Sequence, residues 1–161
     1  MINIALTIIL IAIFALIFWQ DTKDRYVYWF LYPLAGIITF AIQGTKTTYA
    51  QAFFNALLNL FLVLLIVIVV WLYSVIILKK KFVNESLGLG DILLFIFLCF
   101  SFSPTTFITL FVFSLIFSLL LHQYFKNKSH NSTVPLAGYM ALFFATVYLL
   151  SFFIAPKYLF A

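Results

Sequence analysis

Residues 52–78 form an apolar run without a single charged side chain. A helix that crosses the hydrocarbon core of a bilayer needs about 20 predominantly apolar residues, so this run is long enough to span it. The chain as a whole is also rich in apolar residues. Of its 161 residues, 66% are hydrophobic, whereas a typical soluble domain is about half apolar. A soluble domain could not bury so much apolar surface, and lipid must therefore be the solvent for most of this chain.

Apolar runs recur along the whole chain and predict six membrane helices. The predicted helices cover approximately residues 4–19, 26–42, 52–78, 90–103, 105–124 and 134–155. Helices are favoured over strands because a membrane-spanning helix satisfies its own backbone hydrogen bonds. Pro104 separates the fourth and fifth, since proline suits a first helical turn and disrupts an interior. We expect an all-α membrane protein, a bundle of about six transmembrane helices in one domain over residues 1–161. The alternative is five helices and a re-entrant fourth segment.

The basic residues predict the orientation of this bundle. Most of them lie in the first, third and fifth gaps between the apolar runs, and the positive-inside rule places those gaps in the cytoplasm. We therefore expect a plasma-membrane protein with both termini outside and a belt of aromatic residues around the first gap. In this interpretation the basic residues that give the net charge of +5 serve to orient the protein in the membrane. No nucleic-acid partner is therefore expected. The basic residues of the three gaps are Lys23, Arg25, Lys79, Lys80, Lys81, Lys126 and Lys128, against Lys46 and Lys157 elsewhere.

All four acidic residues fall on the predicted cytoplasmic side: Asp21, Asp24, Glu85 and Asp91. Asp21 ends the first predicted helix and Asp91 begins the fourth, so both should lie at the same membrane depth. Acids near the hydrocarbon are costly and usually face a bundle interior or a water cavity. Two neighbouring carboxylates do not both ionise easily. One can then activate water while the other donates a proton, as in aspartic proteases.

A purely structural interpretation of these acids is also open. Asp91 would then be a helix-capping or first-turn residue, favoured by the helix dipole, and Asp21 would be a solvated loop residue beside Lys23. Asp24 and Glu85 are expected to be surface charges. Two glycines precede Asp91 in the sequence GLGD, and glycine permits positive φ and the close approach of another backbone.

Three motifs occur in order along the chain and on the same predicted side. They are DTKDRYVY at residues 21–28, GLGD at 88–91 and VPLA at 134–137. Together they resemble the type IV prepilin peptidases and archaeal preflagellin peptidases, which are membrane aspartyl proteases of the GxGD type. The first family motif is roughly D-x-R-x-R-x-I-P, and Asp21, Lys23 and Arg25 match its acidic and basic positions. Tyr28 stands where the family has proline.

The second and third family motifs are matched with one departure. Gly88, Gly90 and Asp91 match the GxGD element, and Pro135 matches the proline of the late segment. The family commonly has lysine two places after the aspartate, where this chain has Leu93. The chain also resembles the peptidase-only form, without the cysteine-bearing extension that many bacterial members carry.

The resemblance implies a hydrolase of the type IV pilus kind. Asp21 and Asp91 would activate water to cut the short basic leader from a pilin-like or flagellin-like precursor at the cytoplasmic membrane face, without a metal or other cofactor. Its partners would be that precursor and the lipid bilayer. Two alternatives are a catalytically inactive relative that acts as a scaffold and a small proton-coupled or cation-coupled transporter.

Two further polar pairs have a structural interpretation. Asn55 and Asn59 are one helical turn apart, and we expect them to bond to another helix. His122 and His130 lack a third ligand nearby in the sequence, so they are not expected to bind metal.

Overall fold

The computed structural model of the protein describes residues 2–79, 88–125, 134–154 and 157–160. Within these ranges the regular structure is entirely helical. The helices are α1 (Ile2–Asp24), α2 (Leu31–Lys46), α3 (Tyr49–Tyr73), α4 (Leu89–Leu98), α5 (Pro104–Phe125), α6 (Leu136–Leu150) and α7 (Lys157–Phe160), and a π-helical turn (Ser74–Leu78) extends α3. Four basic residues that set the predicted orientation, together with one acidic residue and one histidine, lie outside the described residues: Lys80, Lys81, Lys126, Lys128, Glu85 and His130.

Each of the six predicted apolar segments overlaps one of the helices α1 to α6. Among the residues described, only three helices are long and apolar enough to cross a membrane. These candidate spans are Ile2–Asp24, Tyr49–Ile76 and Pro104–Phe125. The ten residues of α4 measure about 15 Å at 1.5 Å per residue, which is half of a hydrocarbon core of about 30 Å. The helical fold is therefore confirmed within the described residues, whereas six transmembrane passages stay a prediction.

The candidate spans present apolar side chains outwards. Only 22% of the most apolar 18-residue window of the second span is buried within the protein. Phe53 and Phe61, for example, are 57% and 66% exposed. A surface of this kind is stable against lipid tails and would be costly in water, which agrees with a membrane protein.

The core of the bundle is aromatic and centres on the interface between α1 and α6. Phe14 of α1 stacks on Tyr148 of α6 with ring centroids 6.1 Å apart. Phe102, which follows α4, stacks on the same tyrosine at 5.2 Å and on Phe144 at 6.3 Å. Because these rings come from the beginning, middle and end of the chain, they hold its distant parts in one unit.

The break between α4 and α5 is fixed by a polar side chain of α3. Asn59 is fully buried, and its Nδ2 donates hydrogen bonds of 2.9 Å to the carbonyl oxygens of both Cys99 and Phe102. The carbonyl oxygens at a helix end lack hydrogen-bond donors within the helix. Asn59 supplies such donors at the end of α4. Asn59 thus bonds to the connection between α4 and α5 and not to another helix as predicted, and the Nδ2 of Asn55 has no partner among the described residues. The helix α5 begins at Pro104 as the sequence indicated.

The helices bring the end of α1 and the beginnings of α4 and α6 together at one end of the bundle, as the hydrogen bonds described below show. At the beginning of α1, Thr45 of α2 donates a 3.1 Å hydrogen bond to Asn3. Asp21 and Asp91 therefore belong to the same end of the molecule, away from Asn3.

Candidate active site

Asp21 lies in the last turn of α1 and points towards α6. Its Oδ2 accepts a 2.6 Å hydrogen bond from the backbone N–H of Gly138. The residue is half-buried, and its Oδ1 makes no hydrogen bond within the described part of the chain. Asp21 is therefore part of an interhelical contact and not a solvated loop residue.

Asp91 is in the first turn of α4 and uses both carboxylate oxygens. Oδ2 accepts a 3.1 Å hydrogen bond from the N–H of Gly88, the residue that caps α4. Oδ1 accepts a 2.8 Å hydrogen bond from the N–H of Ala137. The first contact is the capping role that the structural interpretation predicts. The second contact crosses to α6 and is additional to that role.

The two carboxylates thus share the beginning of α6. Ala137 and Gly138 are consecutive, and consecutive Cα atoms are about 3.8 Å apart, so Asp21 and Asp91 are held side by side. The first amides of a helix have no partner within it and carry the positive end of its dipole. Pro135, which has no N–H, directly precedes this turn, and the N–H of Leu136 binds the carbonyl of Val134. The structure therefore brings together the two acids that the sequence predicted would meet.

The glycines around the carboxylates make room for them. A Cβ atom at Gly138 would lie 3.0 Å from both Cβ and Oδ2 of Asp21, and one at Gly88 would lie 3.0 Å from Oδ2 of Asp91. No glycine has positive φ in the part of the chain that the structure describes. Neither explanation for GLGD that the sequence offered, positive φ or the close approach of another backbone, therefore applies: the atoms that approach these glycines belong to side chains.

The two basic residues of the first motif have different positions. Arg25 is partly buried, its Nε has no hydrogen-bond partner among the described residues, and its charge acts on both Asp21 and Asp91. Its φ of 56° is unusual for a residue with a side chain. Lys23 is exposed and lies over the ring of Trp19, 4.8 Å from its centroid. Only Arg25 belongs to the carboxylate site.

Tyr32 of α2 is an additional member of the site that the motifs did not reveal. It is 1% exposed, and its hydroxyl has no hydrogen-bond partner among the described residues. A Cβ atom at Gly90 would lie 2.7 Å from this hydroxyl, so the tyrosine reaches the turn that carries Asp91. The hydroxyl is also within electrostatic range of both aspartates.

The environment favours the protonated form of Asp91, which lies outside the three candidate membrane spans. Burial is the main cause, and together with the nearby charge of Asp21 it raises the pKa of Asp91 to about 6. The hydrogen bonds from Gly88 and Ala137 and the charge of Arg25 act in the opposite direction. Below about pH 6 a carboxyl group of this kind holds a proton beside a second carboxylate.

Residues near the carboxylates differ in how they meet the expectations from the sequence. Asp24 is exposed, as expected of a surface charge, whereas Glu85 lies outside the described residues. The N–H of Tyr28 donates a 3.1 Å hydrogen bond to Oε1 of Gln20, which the proline of the family motif could not make. Leu93 packs against the hydrophobic core. No cluster of three metal-ligating residues occurs within the described ranges.

No protein-family model, no curated protein and no solved structure matches this chain. The resemblance to prepilin peptidases therefore rests on the three motifs. Sequence reasoning missed Tyr32 and the amides of Ala137 and Gly138. YPLAG at residues 32–36 is similar to VPLAG at 134–138, and both pentapeptides lie at helix beginnings, but this similarity indicates neither the hydroxyl nor the amides as contacts.

Proposed function

We propose that this protein is a membrane aspartyl peptidase that cuts the basic leader from pilin-like or flagellin-like precursors. The observation that supports it best is the pair of hydrogen bonds from the adjacent amides of Ala137 and Gly138 to Asp91 and Asp21. Two half-buried carboxylates held side by side are the arrangement that acid–base hydrolysis of a peptide bond uses.

The reaction requires one proton on the pair. The ionised carboxylate accepts a proton from water while the water oxygen attacks the scissile carbonyl carbon, and the protonated carboxyl donates its proton to the carbonyl oxygen. The tetrahedral intermediate then collapses. The C–N bond breaks, a proton passes to the departing amine, and one water is consumed for each peptide bond. Asp91 is the residue we assign to the protonated form, since its pKa is raised to about 6.

The membrane arrangement belongs to the same proposal. The bundle would cross the bilayer with about six helices, with the carboxylate end at the cytoplasmic face and both termini outside. Tyr26, Tyr28 and Trp29 are 67%, 53% and 69% exposed beside the site, which suits an interfacial belt. A precursor with a short basic leader before an apolar helix could then place its helix in lipid and its leader at the carboxylates.

The test is cleavage of a synthetic precursor, a basic leader joined to an apolar helix, by the purified protein in liposomes. We expect Asp21→Asn and Asp91→Asn each to lower the cleavage rate by at least about 10³-fold, and the exposed-acid control Asp24→Asn to cleave normally. Full cleavage by either site variant would reject the proposed function. An inactive parent protein that binds the precursor would favour the scaffold alternative.

A further inference from the structure

The hydroxyl group of Tyr32 makes no hydrogen bond that would stabilise the fold within the described residues. The side chain is 1% exposed, and the hydroxyl lacks a hydrogen-bond partner among the described residues. A buried polar group without a partner costs free energy, and phenylalanine would fill the same space without that cost. The hydroxyl therefore retains an unused hydrogen-bond donor.

The surroundings of the hydroxyl indicate where a partner would bind. Both Asp21 and Asp91 are within electrostatic range of it. Gly90 precedes Asp91, and a Cβ atom there would lie 2.7 Å from the hydroxyl oxygen but 3.7 Å from the Cζ atom of the ring. The absence of a side chain at residue 90 thus makes room mainly for the oxygen. The second glycine of GLGD, Gly90, is therefore required to accommodate the hydroxyl of Tyr32.

We infer that Tyr32 is a further catalytic residue, whose hydroxyl donates a hydrogen bond to the oxygen of the scissile carbonyl. This inference rests on the proposed peptidase function. A phenol is a neutral donor, so it can face two carboxylates while a substrate oxygen accepts its proton. Donors that meet a developing negative charge stabilise the transition state more than the ground state.

The first test is the variant Tyr32→Phe, assayed on the synthetic precursor in liposomes. Loss of one such donor is expected to reduce kcat by about 10²-fold, with little change in KM and no decrease in the thermal unfolding temperature. Tyr148→Phe is the matched control. Tyr148 is similarly buried but lies ten residues beyond Gly138, about 15 Å further along α6, and its loss should leave kcat unchanged.

The second test links Gly90 to the hydroxyl. Gly90→Ala should reduce kcat by displacing the hydroxyl, and it should cause no further loss in the Tyr32→Phe background, where the oxygen is absent. Additive losses would overturn the inference.

The outcomes separate this inference from the proposed function. If Tyr32→Phe retains its kcat while Asp21→Asn is inactive, Tyr32 is not catalytic and the peptidase proposal stands. If Asp21→Asn is fully active, the proposed function fails, and the role of Tyr32 fails with it. If Tyr32→Phe does not fold, the comparison of Gly90→Ala with the parent protein decides, and an unchanged kcat rejects the inference.

Discussion

The carboxylate of Asp21 and the amide of Gly138 are joined by a 2.6 Å hydrogen bond, although 117 positions separate them in the sequence. The preceding amide, that of Ala137, binds Asp91 in the same way. One turn of α6 therefore sets the positions of two acids that belong to different helices. Substitutions in this turn should act on both the fold and the chemistry.

Gly138→Ala should reduce peptidase activity by displacing Asp21. The new Cβ atom would lie 3.0 Å from the carboxylate oxygen that accepts the hydrogen bond, so the carboxylate must move by a few tenths of an ångström. We expect a decrease in kcat/KM on the order of tenfold, since catalysis depends steeply on such positions. The control is Ala137→Gly, which keeps its amide and adds no atom. Equal activities of the two variants would contradict this explanation.

The two aspartate-to-asparagine variants should differ in stability. In Asp21→Asn the single amide contact could be kept, because the side-chain oxygen can face the N–H of Gly138 while the NH₂ group takes the position of Oδ1. In Asp91→Asn only one carbonyl oxygen is left for the two amides of Gly88 and Ala137, so one N–H loses its acceptor. Such a loss costs about 1–3 kcal/mol. Thermal unfolding in detergent should therefore show a lower Tm for Asp91→Asn than for Asp21→Asn, and the reverse order would contradict the assigned bonds.

Peptidase activity should decrease as the pH rises above about 6. Burial raises the pKa of Asp91 to about 6, so below this pH Asp91 holds the proton that the mechanism requires. Above it the proton is lost, both carboxylates are charged, and kcat/KM should decrease by about tenfold for each pH unit. The profile of Asp24→Asn should coincide with that of the parent protein. An activity that is constant from about pH 6 to about pH 9 would exclude a protonated Asp91 from the rate-limiting step.

Asn59 should contribute more to stability than its neighbour on the same helix face. Asn59→Ala removes both hydrogen bonds to the carbonyl oxygens at the end of α4 and should lower the free energy of unfolding by about 2–3 kcal/mol. Asn55 is the control, because its Nδ2 has no hydrogen-bond partner in the described structure. Denaturation of the two alanine variants in the same detergent checks this difference, and equal losses would exclude the capping role.

The helical fold could be predicted from the sequence because its signal is repeated in every segment. Long apolar runs and the break at Pro104 indicate helices without any knowledge of their packing. The boundaries were less accurate. The second helix was predicted from about residue 26 but begins at Leu31. Residues 26–30, four of which are aromatic, resemble a membrane helix in composition but form the connection between α1 and α2.

The candidate site was predictable only where it carries charge. The chain has only four acidic residues, so Asp21 and Asp91 are readily identified as candidates. The distribution of basic residues predicts that both lie on the same side of the membrane. The amides of Ala137 and Gly138 have no signature in a sequence, because every non-proline residue has an N–H group. Tyr32 could not be recognised either, since a tyrosine near a membrane boundary is common and its proximity to Gly90 depends on how α2 packs against α4.

The site combines α1, α4 and α6, and this has a consequence for biosynthesis. A chain emerges from the ribosome with Asp21 first, Asp91 later and the amides of residues 137 and 138 later still. Until α6 docks, neither carboxylate has these donors. A partly synthesised or truncated chain would therefore lack the assembled carboxylate pair, so the proposed peptidase activity would begin only after α6 has joined the bundle.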